Sequence, residues 1–309
     1  MKYPRLFLAL VAPCLVRAAE VEIDLWPEGV PGLHADASPT KDDGQGRYTN
    51  IHYPTLTVLP PPSGTANGTA VIYAPGGGYQ RVSAGDARGG IVGRWLHSLG
   101  ITVFLLKYRH AEYGHPAPLQ DALRAVRLVR SRAIEFGINP DRIGMLGGSA
   151  GGHLTASAGT LYDAPEGRTG AELDKVSGRP QFMVLIFPMI SMRNAGSGGR
   201  RDPLLGANPS EELRHHLSVD EQVTKDTPPT FLVHSAEDRG LVEGSVSFST
   251  AMRRAGAPIE LHLYTKGPHG DGMSPALGPI SEWPRLCEIW MRANGWLPAV
   301  SGSKPPARP

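Results

Sequence analysis

Gly147-Gly148-Ser149-Ala150-Gly151 satisfies the pattern G-x-S-x-G, and a serine in that setting is a candidate nucleophile. An apolar run, Arg142-Ile143-Gly144-Met145-Leu146, precedes it, and a run of mostly small residues, Gly152-His153-Leu154-Thr155-Ala156-Ser157-Ala158, follows. A strand, a sharp turn carrying a serine and then a helix make a nucleophile elbow. So tight a turn strains the backbone at the serine, and its neighbours must lack bulk. The turn lifts the hydroxyl clear of the sheet and aims a helix N-terminus, with its partial positive charge, at a reacting carbonyl. The bare pattern also fits an ordinary Gly/Ser loop; the flanking strand and helix signals argue for the elbow.

A serine hydroxyl is a poor nucleophile at neutral pH. It needs a histidine to take its proton and an acid to hold the correct tautomer. With an elbow of this kind the chain order is Ser, then Asp or Glu, then His, each on a loop after a strand. Five histidines lie beyond the elbow's own helix: His215, His216, His234, His262 and His269. His262 falls inside a strand pattern, His234 inside or at the end of another, and His215 and His216 in an irregular stretch. His269 sits in Lys266-Gly267-Pro268-His269-Gly270-Asp271-Gly272, a turn-rich loop suited to presenting a base, and is the preferred candidate. His153, one helical turn past Ser149, reads as a packed, hydrogen-bonded support. Asp238, in Ser235-Ala236-Glu237-Asp238, is the preferred acid, with Glu237 its rival. Asp271 is too near His269 in the chain to be the obvious partner, and Asp202, Asp220 and Asp226 read as solvated.

The oxyanion needs donors. The N–H of Ala150, next after the nucleophile, is one. Ala74-Pro75-Gly76-Gly77-Gly78-Tyr79 offers others at Gly77 and Gly78, because glycine lets main-chain N–H groups approach a substrate closely. Losing one such donor costs about 2.7–4 kcal/mol of transition-state stabilisation, against about 0.5–1.5 kcal/mol for an ordinary hydrogen bond. The competing phosphate-loop reading fails, since G-x-x-x-x-G-K-[ST] requires a lysine that does not follow these glycines. A dinucleotide fingerprint is also missing. The chemistry calls for no metal and no cofactor.

These groups must be positioned by alternating strands and helices. Tyr53 to Pro60 alternates and ends at prolines, an early, antiparallel strand. Thr69–Ala74, Ile101–Tyr108, Arg142–Leu146, Gln181–Phe187, Thr230–His234 and Ile259–Tyr264 read as further strands, and the near-continuous apolar run from Ile101 fits a strand buried on both faces. Helices are expected over Asp86–Leu99, Pro118–Phe136, Val242–Ala255 and Ser281–Asn294. In Pro118–Phe136 one apolar stripe runs from Leu119 to Ile134, and Arg124, Arg127 and Arg130 lie off it, on what reads as a solvated face. Residues 191–227 break the rhythm and suit an insertion over the site, or ordinary surface loop. The expected architecture is α/β, a mostly parallel sheet with helices on both faces.

With 309 residues, 40% of them apolar, the chain can fold as one large domain. A formal charge of +2 excludes a broad basic field for nucleic acid. Lys2 and Arg5, the apolar run Leu6–Val16 and then Ala18-Ala19 read as a secretory leader, too short to span a bilayer as a mature helix. Pro13 before Cys14 argues against a lipoprotein signal. The expected organisation is a leader at 1–18, one catalytic domain at 19–297 and a disordered tail at 298–309, with secretion or periplasmic export and no membrane span. Cleavage removes Lys2, Arg5 and Arg17, shifting the formal charge from +2 to −1, and removes Cys14, leaving Cys287 with no internal disulfide partner. Oligomeric state is not legible.

Taken together, these pieces resemble secreted α/β-hydrolase esterases grouped with bacterial acetyl xylan esterases, including bifunctional acetyl xylan and feruloyl esterases. The resemblance rests on Leu25-Trp26-Pro27, Pro75-Gly76-Gly77-Gly78-Tyr79, Leu106-Lys107-Tyr108-Arg109, Asn139-Pro140-Asp141-Arg142, Gly148-Ser149-Ala150-Gly151-Gly152-His153 and His269-Gly270-Asp271-Gly272. It implies the α/β-hydrolase fold and Ser149, Asp238 and His269 as triad. The implied substrate is an acylated carbohydrate such as xylan, or a small ester. Pro75 departs from related lipases, which carry histidine before the glycines, and Arg239-Gly240-Leu241-Val242 departs from the family's Asp-x-x-Val. A peptidase or general small-ester hydrolase shares the same machinery, and a catalytically silent glycan-binding protein is the reading from another class.

Overall fold

From residue 82 onward strand alternates with helix, as the apolar runs require. The structure is a computed structural model that describes residues 21–193 and 203–299. The expected leader at 1–18, most of the expected tail and the middle of the insertion lie outside these. The strands are β1 (Val21–Asp24), β2 (Lys41–Asp42), β3 (Arg47–Thr49), β4 (Thr55–Leu59), β5 (Ala70–Ala74), β6 (Val82–Ser83), β7 (Thr102–Lys107), β8 (Ile143–Gly148), β9 (Met183–Ile186), β10 (Thr230–Ser235) and β11 (Ile259–Tyr264). The helices are α1 (Gly90–Ser98), α2 (Ala117–Ser131), α3 (Ala150–Thr160), α4 (Glu211–His216), α5 (Val242–Ala255) and α6 (Trp283–Ala293).

Among the described residues one sheet runs β1-β4-β7-β5-β8-β9-β10-β11. Pairing is antiparallel at β1–β4 and β4–β7 and parallel from β7 to β11. The antiparallel strand expected near Tyr53–Pro60 is therefore β4. The central strands are buried on both faces, which is why their sequences are almost continuously apolar. Each fully buried Leu, Ile, Val or Phe in them contributes about 1.5–3 kcal/mol.

The order of the strands decides where a site can form. The chain steps one way from β5 to β7, then crosses back to β8 and proceeds the other way. Right-handed crossovers then place α1 on one face and α2, α3 and α5 on the other. Trp95 of α1 meets Trp283 of α6 with ring centroids 5.0 Å apart, so α6 shares the α1 face. A crevice opens outside the C-terminal ends of the strands where the direction reverses, between β5 and β8. Register brings Ala74 opposite Gly147, which sets the glycine loop directly beside the elbow.

Three expectations are corrected. The helix expected to Phe136 ends at Ser131, and Ile134, counted in its apolar stripe, is 97% exposed. Arg124 and Arg127 are not on a solvated face. The segments at 25–28 and 165–178 cover that face of α2, and both arginines are buried beneath them. Arg124 donates to the carbonyl of Leu25 and pairs with Glu28, with its guanidinium over the Trp26 ring. Arg127 donates to the carbonyl of Gly167 and pairs with Asp174. A period-3.6 stripe reports which side faces the sheet but is silent about loops that cover the other side. Finally, residues 26–53, where no strand was expected, supply β2 and β3, which with β6 form a small antiparallel sheet. That sheet ties the loop after the glycines to the N-terminal segment.

Candidate active site

Ser149 has φ 54° and ψ −122°, the strained geometry expected of an elbow. The turn closes because its neighbours are bare: a Cβ on Gly151 would lie 2.0 Å from the carbonyl oxygen of Ala74. The serine stands at the C-terminal end of β8 and opens α3. Its Oγ lies 2.9 Å from His269 Nε2, and His269 Nδ1 lies 2.6 Å from Asp238 Oδ2. The carboxylate can only accept, so Nδ1 carries the proton and Nε2 is left to accept from the serine hydroxyl. These three side chains, chosen from the sequence, are brought together from the ends of β8, β10 and β11. The in-register pairing of β10 with β11, Ser235 opposite Tyr264, is what sets the Asp238 and His269 loops side by side.

Around this relay stand groups the sequence left in other roles. His234, read only as a strand residue, has Nε2 2.9 Å from the same Asp238 Oδ2 and Nδ1 2.7 Å from Ser245 Oγ. Burial pushes its imidazole below the ordinary range, against the opposing pull of Asp238. It therefore stays neutral, donates through Nε2–H and accepts from the Ser245 hydroxyl. Its i, i+4 spacing to Asp238 at a strand end was the available signal. Glu237, the rival acid, accepts from the backbone N–H of Gly267 at 3.0 Å and so anchors the histidine loop. Trp283 Nε1 donates to the carbonyl of Asp271 at 2.8 Å from the loop's other side.

The glycine loop lies against the elbow. Gly77 has φ +141°, and a Cβ there would lie 2.1 Å from the carbonyl oxygen of Arg81, so only glycine fits. Pro75 offers no side-chain support of the histidine kind, but its carbonyl accepts from the Tyr108 hydroxyl at 2.7 Å. Tyr79, at φ 55°, donates to His153 Nδ1 at 2.8 Å, and His153 Nε2 donates to the carbonyl of Leu217 at 2.8 Å. Burial pushes His153 down to about 4, which keeps it neutral, and the Leu217 carbonyl, which can only accept, fixes this tautomer. It is the packed support that its helical position suggested. Gly77 and Gly78 line the cavity with Ser149 and His269, while Ala150 is the first residue of α3, where helix N–H groups have no intrahelical partner.

The cavity measures about 540 Å³. Tyr73, Arg81, Ile91 and Ile186 contribute to its walls. None of the described residues of 191–227 lines it. Instead Leu204 and Leu217 pack behind Tyr79 and His153, bracing the glycine loop from the rear. Asp220 accepts from Ser247, and the backbone carbonyl of Asp226 from Arg179. The side chain of His269 is 40% exposed and that of Asp238 11%, so the base meets solvent while its partner is shielded. A His/Glu set with metal-ligand spacing exists at His115, Glu166 and His216, none of which lines this cavity.

Known proteins share these features. The BD-FAE family model matches residues 56–252. Endo-1,4-beta-xylanase B of Butyrivibrio fibrisolvens is 30% identical over 205 residues, covering 65% of this chain and 32% of its own length. The acetylxylan esterase of Xylanibacter ruminicola is 31% identical over 223 residues, 67% of this chain and 42% of its own length. The chain thus spans less than half the length of these curated relatives. Among solved structures, an acetyl ester-xyloside bifunctional hydrolase from Caldicellulosiruptor lactoaceticus superposes with a TM-score of 0.77 at 37% identity, covering 90% of this chain and 97% of that one. A thermophilic esterase from Thermogutta terrifontis, 22% identical with a TM-score of 0.68 over 86% of this chain and 97% of its own, shares the fold. With the strand order and the elbow, these likenesses establish the α/β-hydrolase fold.

Proposed function

The chain belongs to the BD-FAE family, and from that premise we propose that it is a serine carboxylic-ester hydrolase that removes acetyl or feruloyl groups from plant polysaccharide such as xylan. The observation that carries the reading is the unbroken relay from Ser149 through His269 to Asp238 at the mouth of the cavity. His269 Nε2 takes the Ser149 proton as Oγ attacks the ester carbonyl. The N–H groups of Ala150, Gly77 and Gly78 hold the oxyanion. The departing alcohol takes the proton from His269, leaving an acyl-enzyme. Water, activated by the same imidazole, attacks the acyl carbon and releases the acid and Ser149. An exposed base suits a site that admits water and a bulky polysaccharide. A cavity of about 540 Å³ gives an aromatic acyl group room that an acetyl group alone does not need.

The reading includes export, supported by the basic start and the Leu6–Val16 run, and N-terminal sequencing of protein recovered outside the cytoplasm tests it. No helix among the described residues is long and apolar enough to cross a membrane. For the chemistry, Ser149→Ala should lose at least about 10⁴-fold in turnover while keeping its thermal midpoint. Full activity in that variant removes Ser149 from the mechanism. Acetylated xylan, methyl ferulate, p-nitrophenyl esters of increasing length and a peptide amide, run side by side, test the substrate class. Preference for long acyl chains or for the amide overturns the carbohydrate reading.

A further inference from the structure

His115, Glu166 and His216 come from three separated stretches: the loop leading into α2, the turn at Pro165–Gly167 and the last residue of α4. Their candidate ligand atoms all lie within 4.8 Å of one another. His216 Nε2 is 2.5 Å from Glu166 Oε1, and His115 Nε2 is 3.9 Å from the same oxygen. The two rings meet edge to face, centroids 5.8 Å apart at 71°. Two Nε2 atoms thus converge on one carboxylate oxygen, the nearer within hydrogen-bond reach and the farther beyond it. All three side chains are sheltered, at 12%, 27% and 34% exposure.

We propose that His115, Glu166 and His216 form a binding site for a zinc-class divalent cation, held by both Nε2 atoms and the Glu166 carboxylate, with a fourth position left to water. Two imidazoles and one carboxylate suit zinc rather than magnesium or calcium, which prefer all-oxygen sites. At about 2.1 Å from each ligand, tetrahedral coordination sets ligand atoms about 3.4 Å apart. That falls between the 2.5 Å and 3.9 Å of the two His–Glu pairs, and with all three ligand atoms within 4.8 Å of one another, side-chain shifts alone complete the site. Binding displaces the proton shared by His216 Nε2 and Glu166, leaving each imidazole protonated on Nδ1.

The position suggests what the cation does. It joins α4 to the start of α2. Leu217, next after His216, accepts from His153, which in turn holds Tyr79 in the glycine loop. A cation here braces the insertion behind that loop and touches no residue of the Ser149 relay. The inference stands whether or not the chain hydrolyses esters.

The test uses the full chain, stripped with a chelator and titrated with zinc by calorimetry, with thermal unfolding followed in parallel. One equivalent should bind, and excess zinc at about 100 times Kd should raise the midpoint by ~5 °C. His115→Ala and His216→Ala should each weaken binding at least about 10-fold, and Glu166→Gln, which preserves shape, by a similar factor. No saturable uptake up to about 1 mM zinc overturns the proposal. So does uptake with unchanged affinity in all three variants, which would place the metal elsewhere, for instance on His269.

Discussion

Asp121 and Asp238 are both shielded carboxylates that accept from more than one donor, and their settings differ in one respect that separates structure from chemistry. Asp121, on α2, is fully buried. It accepts from Trp26 Nε1, from the backbone N–H of Arg109 and from the Arg109 guanidinium, at 2.8 to 3.1 Å. Every donor is itself locked, so nothing there can move a proton. Asp238 accepts from two imidazoles, one buried and one 40% exposed with its far nitrogen on a serine hydroxyl. A closed network fixes the fold; a network left open at one end can pass a proton to a substrate.

The comparison breaks if the two aspartates respond alike to the same substitution. Asp238→Asn should lower turnover of a p-nitrophenyl ester by about 10⁴-fold, because an amide stabilises the wrong tautomer of His269, with little change in the thermal midpoint. Asp121→Asn should do the reverse. It leaves the buried Arg109 charge unpaired and should cost about 3–5 kcal/mol of stability by denaturant titration, while the folded fraction keeps its turnover. An Asp121→Asn protein that is stable but inactive, or an Asp238→Asn protein that unfolds, would erase the distinction.

His153 extends the closed pattern to a histidine, and pH tests it. In the unfolded chain an imidazole takes up a proton below about 6.5, whereas buried His153, facing His115 and bonded to Leu217, does so only near 4. The unfolded state therefore binds more protons between those values, and stability falls as pH is lowered through that window. The slope approaches about 1.4 kcal/mol per pH unit, for a total of up to ~3 kcal/mol. His153→Gln, which can still bond Tyr79 and Leu217, should flatten the denaturation midpoint over the same window. An unchanged profile would mean that His153 does not hold its proton off.

The sequence made the open network more legible than the closed one, for a physical reason. Ser149, Asp238 and His269 sit on turns after strands, and turn chemistry leaves local marks: glycines around Ser149, Gly-Pro-His-Gly at His269. The α/β alternation was equally plain, because strands buried on both faces must be apolar throughout. Arg124 and Arg127 were misread since their partners, Glu28 and Asp174, lie 96 and 47 residues away. Nothing local reports a loop that folds over a helix. For the same reason the stretch that holds Leu204 and Leu217 read equally as an insertion over the site or as surface loop, and the convergence of His115, Glu166 and His216 left no spacing signal. Pairings between distant segments, rather than residue types, were the missing information.

The finest distinction falls on His234, which belongs to both patterns. It is buried and closed by Ser245 like the structural groups, yet it shares Asp238 Oδ2 with the exposed base. Its N–H draws on the carboxylate's negative charge and so tempers how strongly Asp238 stabilises the imidazolium of His269. In His234→Phe that donor is gone, and the carboxylate acts on His269 alone. Turnover should fall about 10-fold as Asp238 loses one of its two anchors, and the acid limb of the pH–rate profile should move to higher pH. His234→Gln keeps a donor at a similar reach and should recover most of both. A purely packing role predicts instead that the two variants lose activity in proportion to lost stability, with the acid limb unmoved. That limb is therefore the measurement that assigns His234 to the open network or to the closed one.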